Sequence, residues 1–139
     1  MYFPRSEEVI VEAVSRLLAL AGFEVSTHVR LDGTEIDVVA IERAEPRPLV
    51  TIVEVKRRPK VKLLKQLRSR LAIADYLYAA MPYVYYAWAL ERIDPRVGLL
   101  LFFNPERVEV FRKARFLGNG ARYLELAAEP PLPSIAPVR

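Results

Sequence analysis

The chain lacks cysteine and has a single histidine among its 139 residues. Without cysteine it can form neither disulfides nor thiolate metal sites, and it has no cysteine nucleophile. One histidine is too few for a histidine-rich zinc site, and it argues strongly against a Ser-His-Asp triad. We therefore expect His28 to be an ordinary strand residue, and we look for chemistry among the carboxylates and the basic side chains.

Long apolar runs are also missing. No segment approaches the roughly 20 consecutive apolar residues of a membrane-spanning helix, although 53% of the residues are hydrophobic. The first eight residues lack the basic-then-apolar order of a signal peptide. We therefore expect a cytoplasmic protein. Its length suits one domain with a real hydrophobic core.

The hydrophobic pattern predicts helices and strands in the order α-β-β-β-α-β-α-β-β. Helices are expected over about 7–21, 61–75 and 83–92, and strands over 23–31, 35–42, 49–56, 76–81, 97–103 and 107–112. This order indicates an α/β protein with a mixed central sheet flanked by helices. We expect one domain over residues 1–128, in which only the apolar stretch 123–127 can pack after the last strand. The proline-rich residues 129–139 are predicted to be a poorly ordered tail.

Charged residues interrupt two of the apolar strands. Asp37 lies in the second predicted strand, and Glu54 and Lys56 lie two residues apart in the third. Because side chains alternate across a strand, Glu54 and Lys56 should share a face. The two carboxylates and the carbonyl of Val55 are suitable ligands for Mg²⁺ or Mn²⁺, and Lys56 could orient or help deprotonate a water molecule.

The alternative is a surface ion pair between Glu54 and Lys56 beside a solvated Asp37. The neighbours of these residues are mostly valine and isoleucine, which predicts strands that are covered on both faces. Unpaired charges are costly in such strands, so this pattern favours a functional site.

Positive charge is concentrated directly after the acidic pair. The net charge is +4, and one segment contains Lys56, Arg57, Arg58, Lys60, Lys62, Lys65, Arg68 and Arg70. Such a run is typical of a solvated helix face or of a surface that contacts phosphates. Its position next to a candidate metal site favours phosphates. We predict that nucleic acid is bound by Arg57, Arg58, Lys60, Lys62 and Lys65.

The pattern Glu-Ile-Asp, apolar run, loop, Val-Glu-Val-Lys resembles the PD-(D/E)XK nuclease superfamily, in particular archaeal Holliday junction resolvase-like proteins. The similarity extends over most of the chain. It includes the end of the first helix (17–25), Gln66 within a basic helix, the segment Ala74–Pro82 and the apolar strand 97–102. The resemblance implies a restriction endonuclease-like fold and hydrolysis of DNA with Mg²⁺ or Mn²⁺, and it leaves RNA open as a substrate.

The resemblance also implies roles for individual residues. Asp37 and Glu54 match the metal-binding acids, Lys56 matches the catalytic lysine, and Gln66 matches a polar residue that some members carry on the following helix. The acid expected on the first helix would fall near Val11, which cannot bind metal. Glu7 lies one turn earlier, in line with the buried stripe of its helix. We therefore predict that Glu7 completes the site, with Glu8 as the other possibility.

Other functions stay open. The domain could bind nucleic acid or join an assembly without cutting, because the acid near Val11 is missing. It could also be a structural subunit that docks through its aromatic helix. Aromatic residues of that helix could stack on bases, although packing or a dimer contact is favoured for Tyr83, Tyr85, Tyr86 and Trp88. A homodimer is a further prediction.

Overall fold

Six strands form one mixed sheet in which the spatial order follows the chain order. The computed structural model describes residues 2–128. The strands are β1 (Glu24–Leu31), β2 (Thr34–Glu42), β3 (Leu49–Val55), β4 (Tyr76–Pro82), β5 (Gly98–Asn104) and β6 (Arg107–Arg112). The helices are α1 (Glu7–Leu20), α2 (Val61–Leu71), α3 (Tyr86–Arg92) and α4 (Gly120–Ala128), and a 3₁₀ turn (Tyr83–Tyr85) precedes α3.

The chain connections explain the directions of the strands. Short turns join β1 to β2 and β5 to β6, and a short loop joins β2 to β3, so these three pairs are antiparallel. The connections that contain α2 and α3 return the chain to the end of the sheet at which the preceding strand began. For this reason β3, β4 and β5 are parallel neighbours. As a result, β3 lies inside the sheet, and both of its faces are buried.

Each face of the sheet carries its own hydrophobic core. On one face α1 packs Ile10, Val11 and Val14 against residues that include Val38 and Val53. The opposite face packs against α2, α3 and α4 and contains most of the remaining buried residues. Covering both faces of the central strands explains their nearly continuous apolar sequences.

The first two strands change faces at His28 and Asp37. Val25 packs on the α1 side and Val29 on the other side, although residues four apart share a face in a regular strand. His28 has a left-handed backbone with φ of 52°. It lies opposite Asp37, between the register pairs of Thr27 with Val38 and of Val29 with Ile36. Both strands therefore change faces at the same point, and the pairing of β1 with β2 is not shifted.

Most predicted elements are present in the structure, and the differences are local. The helix predicted over 61–75 ends at Leu71, because Asp75 is recruited to the sheet by a bond from its N–H to the carbonyl of Val50. The predicted order omits α4, which contains the stretch 123–127 and buries Tyr123 in the core. The predicted tail, 129–139, lies outside the described residues. Within 2–128, no helix has the length and the apolar character needed to cross a membrane.

Candidate functional site

Asp37 and Glu54 lie side by side on neighbouring strands. The register of β2 and β3 pairs Val38 with Val53, so the next position outward places Asp37 opposite Glu54. The Asp37 carboxylate faces the backbone of β3, where its Oδ2 accepts the N–H of Val55 at 2.7 Å. The Glu54 side chain is only 1% exposed. The two acids predicted to form a site are therefore brought together at the end of β3.

Arg70 is the charged partner of Glu54. Its Nε donates to Glu54 Oε2 at 2.8 Å, and its two terminal nitrogens donate to Thr34 Oγ1 at 3.0 Å and to the Glu35 carbonyl at 2.9 Å. The guanidinium thus links α2 to β2 and β3 from inside the protein. The sequence prediction overlooked this role. One signal was available, because Arg70 shares the helical spacing of Leu63 and Leu67, both of which are buried.

Both carboxyls of the pair are harder to ionise than usual. Burial raises the pKa of Glu54 to about 7; the bond from Arg70 opposes this shift, and the negative charge of Asp37 adds to it. Burial also raises the pKa of Asp37, while the hydrogen bond from Val55 lowers it. Burial is thus the main reason that both carboxyls resist ionisation, and a bound cation would favour the ionised form of both.

Glu7 reaches the same corner from α1. Its Oε2 accepts the backbone N–H of Arg57 at 3.1 Å, and its negative charge raises the pKa of Asp37. Glu8 instead bonds His28. Val11, where the resemblance would put the acid, is buried in the core. Of the two candidate glutamates, Glu7 is therefore the one that lies beside the carboxylate pair.

Lys56 follows directly after β3 and is one of the residues that line a surface groove. Its backbone N–H continues the sheet by donating to the Ala80 carbonyl at 3.0 Å. Its positive charge lowers the pKa of Asp37, against the larger effect of burial. Asp37, Glu54 and Lys56 therefore lie at the same end of the sheet, and Glu7 lies nearby on α1.

The groove beside Lys56 has a volume of about 440 Å³ and is strongly basic. Six of its lining residues are cationic and one is acidic; the lining consists of Arg5, Ser6, Glu7, Lys56, Arg57, Arg58, Lys60, Lys62 and Leu63. Four of the five residues predicted to bind nucleic acid are in this set. The fifth, Lys65, is exposed on α2 outside the groove.

The arginines of the groove are held in place by the segment before α1. Arg57 donates from Nε to the Pro4 carbonyl at 2.6 Å. The guanidinium carbons of Arg57 and Arg58 lie 5.0 and 4.7 Å from the centre of the Phe3 ring. Cation–π contacts of this kind restrict flexible side chains without neutralising their charge. The groove therefore presents arginines that are ordered in advance.

Gln66 is near the site, with an unusual environment. It precedes Arg70 by four residues and so occupies the same face of α2. Its Oε1 is buried and accepts no hydrogen bond from residues 2–128.

The aromatic residues after β4 mainly pack against the protein. Tyr83 stacks on Phe103 with ring centres 4.6 Å apart, while Tyr86 is 49% exposed.

Comparison with known proteins shows the fold and gives no function. No family model and no curated protein matches the chain. A solved structure, described as SPO1766 protein of unknown function from Silicibacter pomeroyi, is similar with a TM-score of 0.62 and 18% sequence identity. The similarity covers 96% of this chain and 99% of that one. The chain is thus similar to this protein over nearly its whole length, in an α/β fold with a mixed sheet flanked by helices.

Proposed function

We propose that the protein is a metal-dependent nuclease with a restriction endonuclease-like fold that hydrolyses DNA phosphodiesters. The observation that carries this proposal is the pair of half-buried Asp37 and buried Glu54 at the end of β3, next to Lys56, which lines a groove with six cationic residues. A carboxylate pair suits a divalent cation, and a basic groove suits the phosphates of a nucleic acid.

The residues of the site fit a hard divalent ion. Asp37 and Glu54 are adjacent, and burial raises the pKa of both carboxyls, so a bound cation would stabilise their ionised forms. Together with the carbonyl of Val55 they would hold Mg²⁺ or Mn²⁺. Within residues 2–128, Glu7, Asp37 and Glu54 do not form a cluster with ligand atoms within 4.8 Å of one another, so Glu7 would contribute a third carboxylate only after its side chain rearranges. When bound, such an ion stabilises negative charge on a phosphate and lowers the pKa of water.

The remaining groups would position the substrate and the attacking water. The ammonium of Lys56 can orient that water, help to remove its proton and balance charge in the transition state. Arg57 and Arg58, ordered by Phe3, can bind phosphates next to the scissile bond. Gln66 has an unused acceptor that could bind the Lys56 ammonium or a water molecule.

The proposal can be tested with a cleavage assay. We would incubate a four-way junction, single-stranded DNA, duplex DNA and single-stranded RNA with the protein and Mg²⁺. The wild type should cut at least one of them, and Asp37→Asn should be slower by roughly 100-fold or more, because the loss of a metal ligand removes several kcal/mol of transition-state stabilisation. Asp32→Asn is a matched control, because Asp32 lies in an exposed turn with φ of 51°, which asparagine tolerates. Equal cleavage by both variants would attribute the activity to a contaminant.

A second candidate is a module that binds nucleic acid, or joins an assembly, without cutting. It is favoured by the contact from Arg70, which already occupies Glu54 Oε2 and supplies a positive charge without metal. This candidate predicts salt-sensitive DNA binding that changes neither with Mg²⁺ nor with Glu54→Gln. Binding isotherms with and without Mg²⁺, measured on both proteins, would separate the two functions.

A further inference from the structure

A second group of potential metal ligands shares Asp37 with the carboxylate pair. His28, Glu35 and Asp37 each offer one ligand atom, and these three atoms lie within 4.8 Å of one another. The group is on β1 and β2, at the point where both strands change faces. It contains neither Glu54 nor Lys56, so it is distinct from the carboxylate pair even though it shares Asp37.

The two nitrogens of the His28 ring have different partners. Nε2 lies 2.6 Å from Glu8 Oε1, and Nδ1 lies 3.1 Å from Glu35 Oε1. An ionised carboxylate only accepts hydrogen bonds, so Nε2–H donates to Glu8. Histidines that bind metals commonly donate their second N–H to a carboxylate in this way, which fixes the tautomer and the orientation of the ring. Glu8 holds His28 so that Nδ1 faces Glu35.

Either a proton or a cation can lie between Nδ1 and Glu35. Without a cation, Nδ1 must be protonated to bond Glu35. The 3.1 Å separation also matches two adjacent ligands of one ion, since two atoms about 2.1 Å from an octahedral ion are about 3.0 Å apart. Three carboxylates, those of Glu8, Glu35 and Asp37, surround a single imidazole, so the charge of the cluster favours a cation.

We propose that His28 Nδ1, Glu35 and Asp37 form a binding site for a divalent transition-metal ion, with Glu8 orienting the imidazole. The imidazole gives the site a preference for ions such as Zn²⁺ over Mg²⁺, which favours all-oxygen ligands. His28 and Glu35 are exposed on the surface, so the ion is reached directly from solvent. The site depends on no residue that is specific to the nuclease proposal except the shared Asp37.

Since His28 is the only histidine of the chain, the test can observe it alone. The full, untagged chain with ¹⁵N-labelled histidine would be titrated with Zn²⁺ and followed by the ring nitrogen resonances. The Nδ1 resonance should shift and saturate near one equivalent. Glu35→Gln should weaken this binding by about 100-fold and Glu8→Gln by about 10- to 100-fold, while the exposed control Glu24→Gln should leave it unchanged.

A second measurement does not depend on the His28 signal. Calorimetric titration with Zn²⁺ should show a strong site in the wild type that is lost in His28→Asn, a substitution compatible with the left-handed backbone at this position. Ring resonances that do not move in excess Zn²⁺, or that move equally in Glu35→Gln, would overturn the proposal, as would an unchanged calorimetric site in His28→Asn. Because this site is observed at the His28 ring and in the absence of DNA, the two proposals can fail separately.

Discussion

At the scale of single residues, Glu54 and Arg70 decide the character of the site. A carboxylate that is 1% exposed has lost its hydration, and one guanidinium bond compensates only in part. The balance leaves the pKa of Glu54 at about 7. Glu54 therefore exchanges its proton near neutral pH, and binding of a cation by this carboxylate should follow the same titration.

The raised pKa of Glu54 predicts a pH dependence of stability. Its pKa in the folded protein, about 7, lies above the ordinary value of 4.5. Its contribution to stability is thus complete below the lower value and is lost as the pH rises through the upper one. In metal-free protein the free energy of unfolding should fall by on the order of 2–3 kcal/mol between about pH 5 and pH 8, relative to Glu54→Gln. Urea unfolding of both proteins measures this difference, and parallel pH profiles would show that Glu54 does not titrate in this range.

Replacing Arg70 should lower the free energy of unfolding, because the buried Glu54 then has no charged partner. Arg70→Met leaves Glu54 without its charged partner and should lower the free energy of unfolding by about 3 kcal/mol at pH 8. The exposed control Arg68→Met should change it by less than about 0.5 kcal/mol. The double variant Arg70→Met with Glu54→Leu should recover most of the loss, because no buried charge remains. A double variant as unstable as the single one would assign the loss to packing.

The residues that the sequence did not reveal share a physical reason. Arg70 is bound to Glu54, sixteen positions earlier, and to β2, and these contacts depend on how α2 docks on the sheet. His28 gains its partners because α1 brings Glu8 to β1. Asp37 and Glu54 could be predicted to meet, because each interrupts an apolar strand of one antiparallel pair. The position of His28 opposite Asp37 depends on the point at which β1 and β2 exchange their buried and exposed faces, and no local sequence pattern indicates that point.

At the scale of elements, α4 shows how a buried acid fixes a helix. Asp75 bonds Arg47 through both carboxylate oxygens, and it accepts the N–H groups of Val50 and Gly120. Burial alone would raise the pKa of Asp75, but these bonds lower it on balance. The start of α4 is thereby tied to β3 and β4. The helix was missed because its position depends on this long-range contact more than on its own short apolar stretch.

Gly120→Ala tests this anchor. A Cβ at position 120 would overlap the Asp75 carboxylate, which Arg47 and Val50 hold in place. We expect a loss of about 1–3 kcal/mol in the free energy of unfolding, whereas helix propensity alone would predict a gain of up to about 1 kcal/mol. Chemical denaturation of both proteins shows whether Gly120→Ala lowers or raises the free energy of unfolding. In an Asp75→Ser background the cost should shrink, and an undiminished cost would place the clash elsewhere.

At the scale of the whole molecule, two clusters of opposite charge occur in the neighbourhood of Asp37. One is the basic groove, which includes Lys56, and the other consists of Glu8, Glu35 and Asp37 around His28. The pattern of strands and helices was predictable because apolar alternation and helical periodicity are local. Of the two clusters, only the basic groove could be predicted, because five of its six cationic residues lie within positions 56–62. The acidic cluster could not be predicted, because its residues come from three elements, α1, β1 and β2, that only the folded structure brings together.

The most direct test of the proposed chemistry is the single-turnover rate of DNA cleavage at saturating protein and Mg²⁺, measured together with DNA affinity. Lys56→Gln should lose roughly 100-fold or more in rate while its affinity changes only a few-fold, because Lys56 acts on the reacting water. Lys62→Gln, from the same groove, should weaken DNA binding and keep the rate at saturation. A Lys56→Gln protein that cuts at the wild-type rate, or a wild type that does not cut at all, would contradict the account.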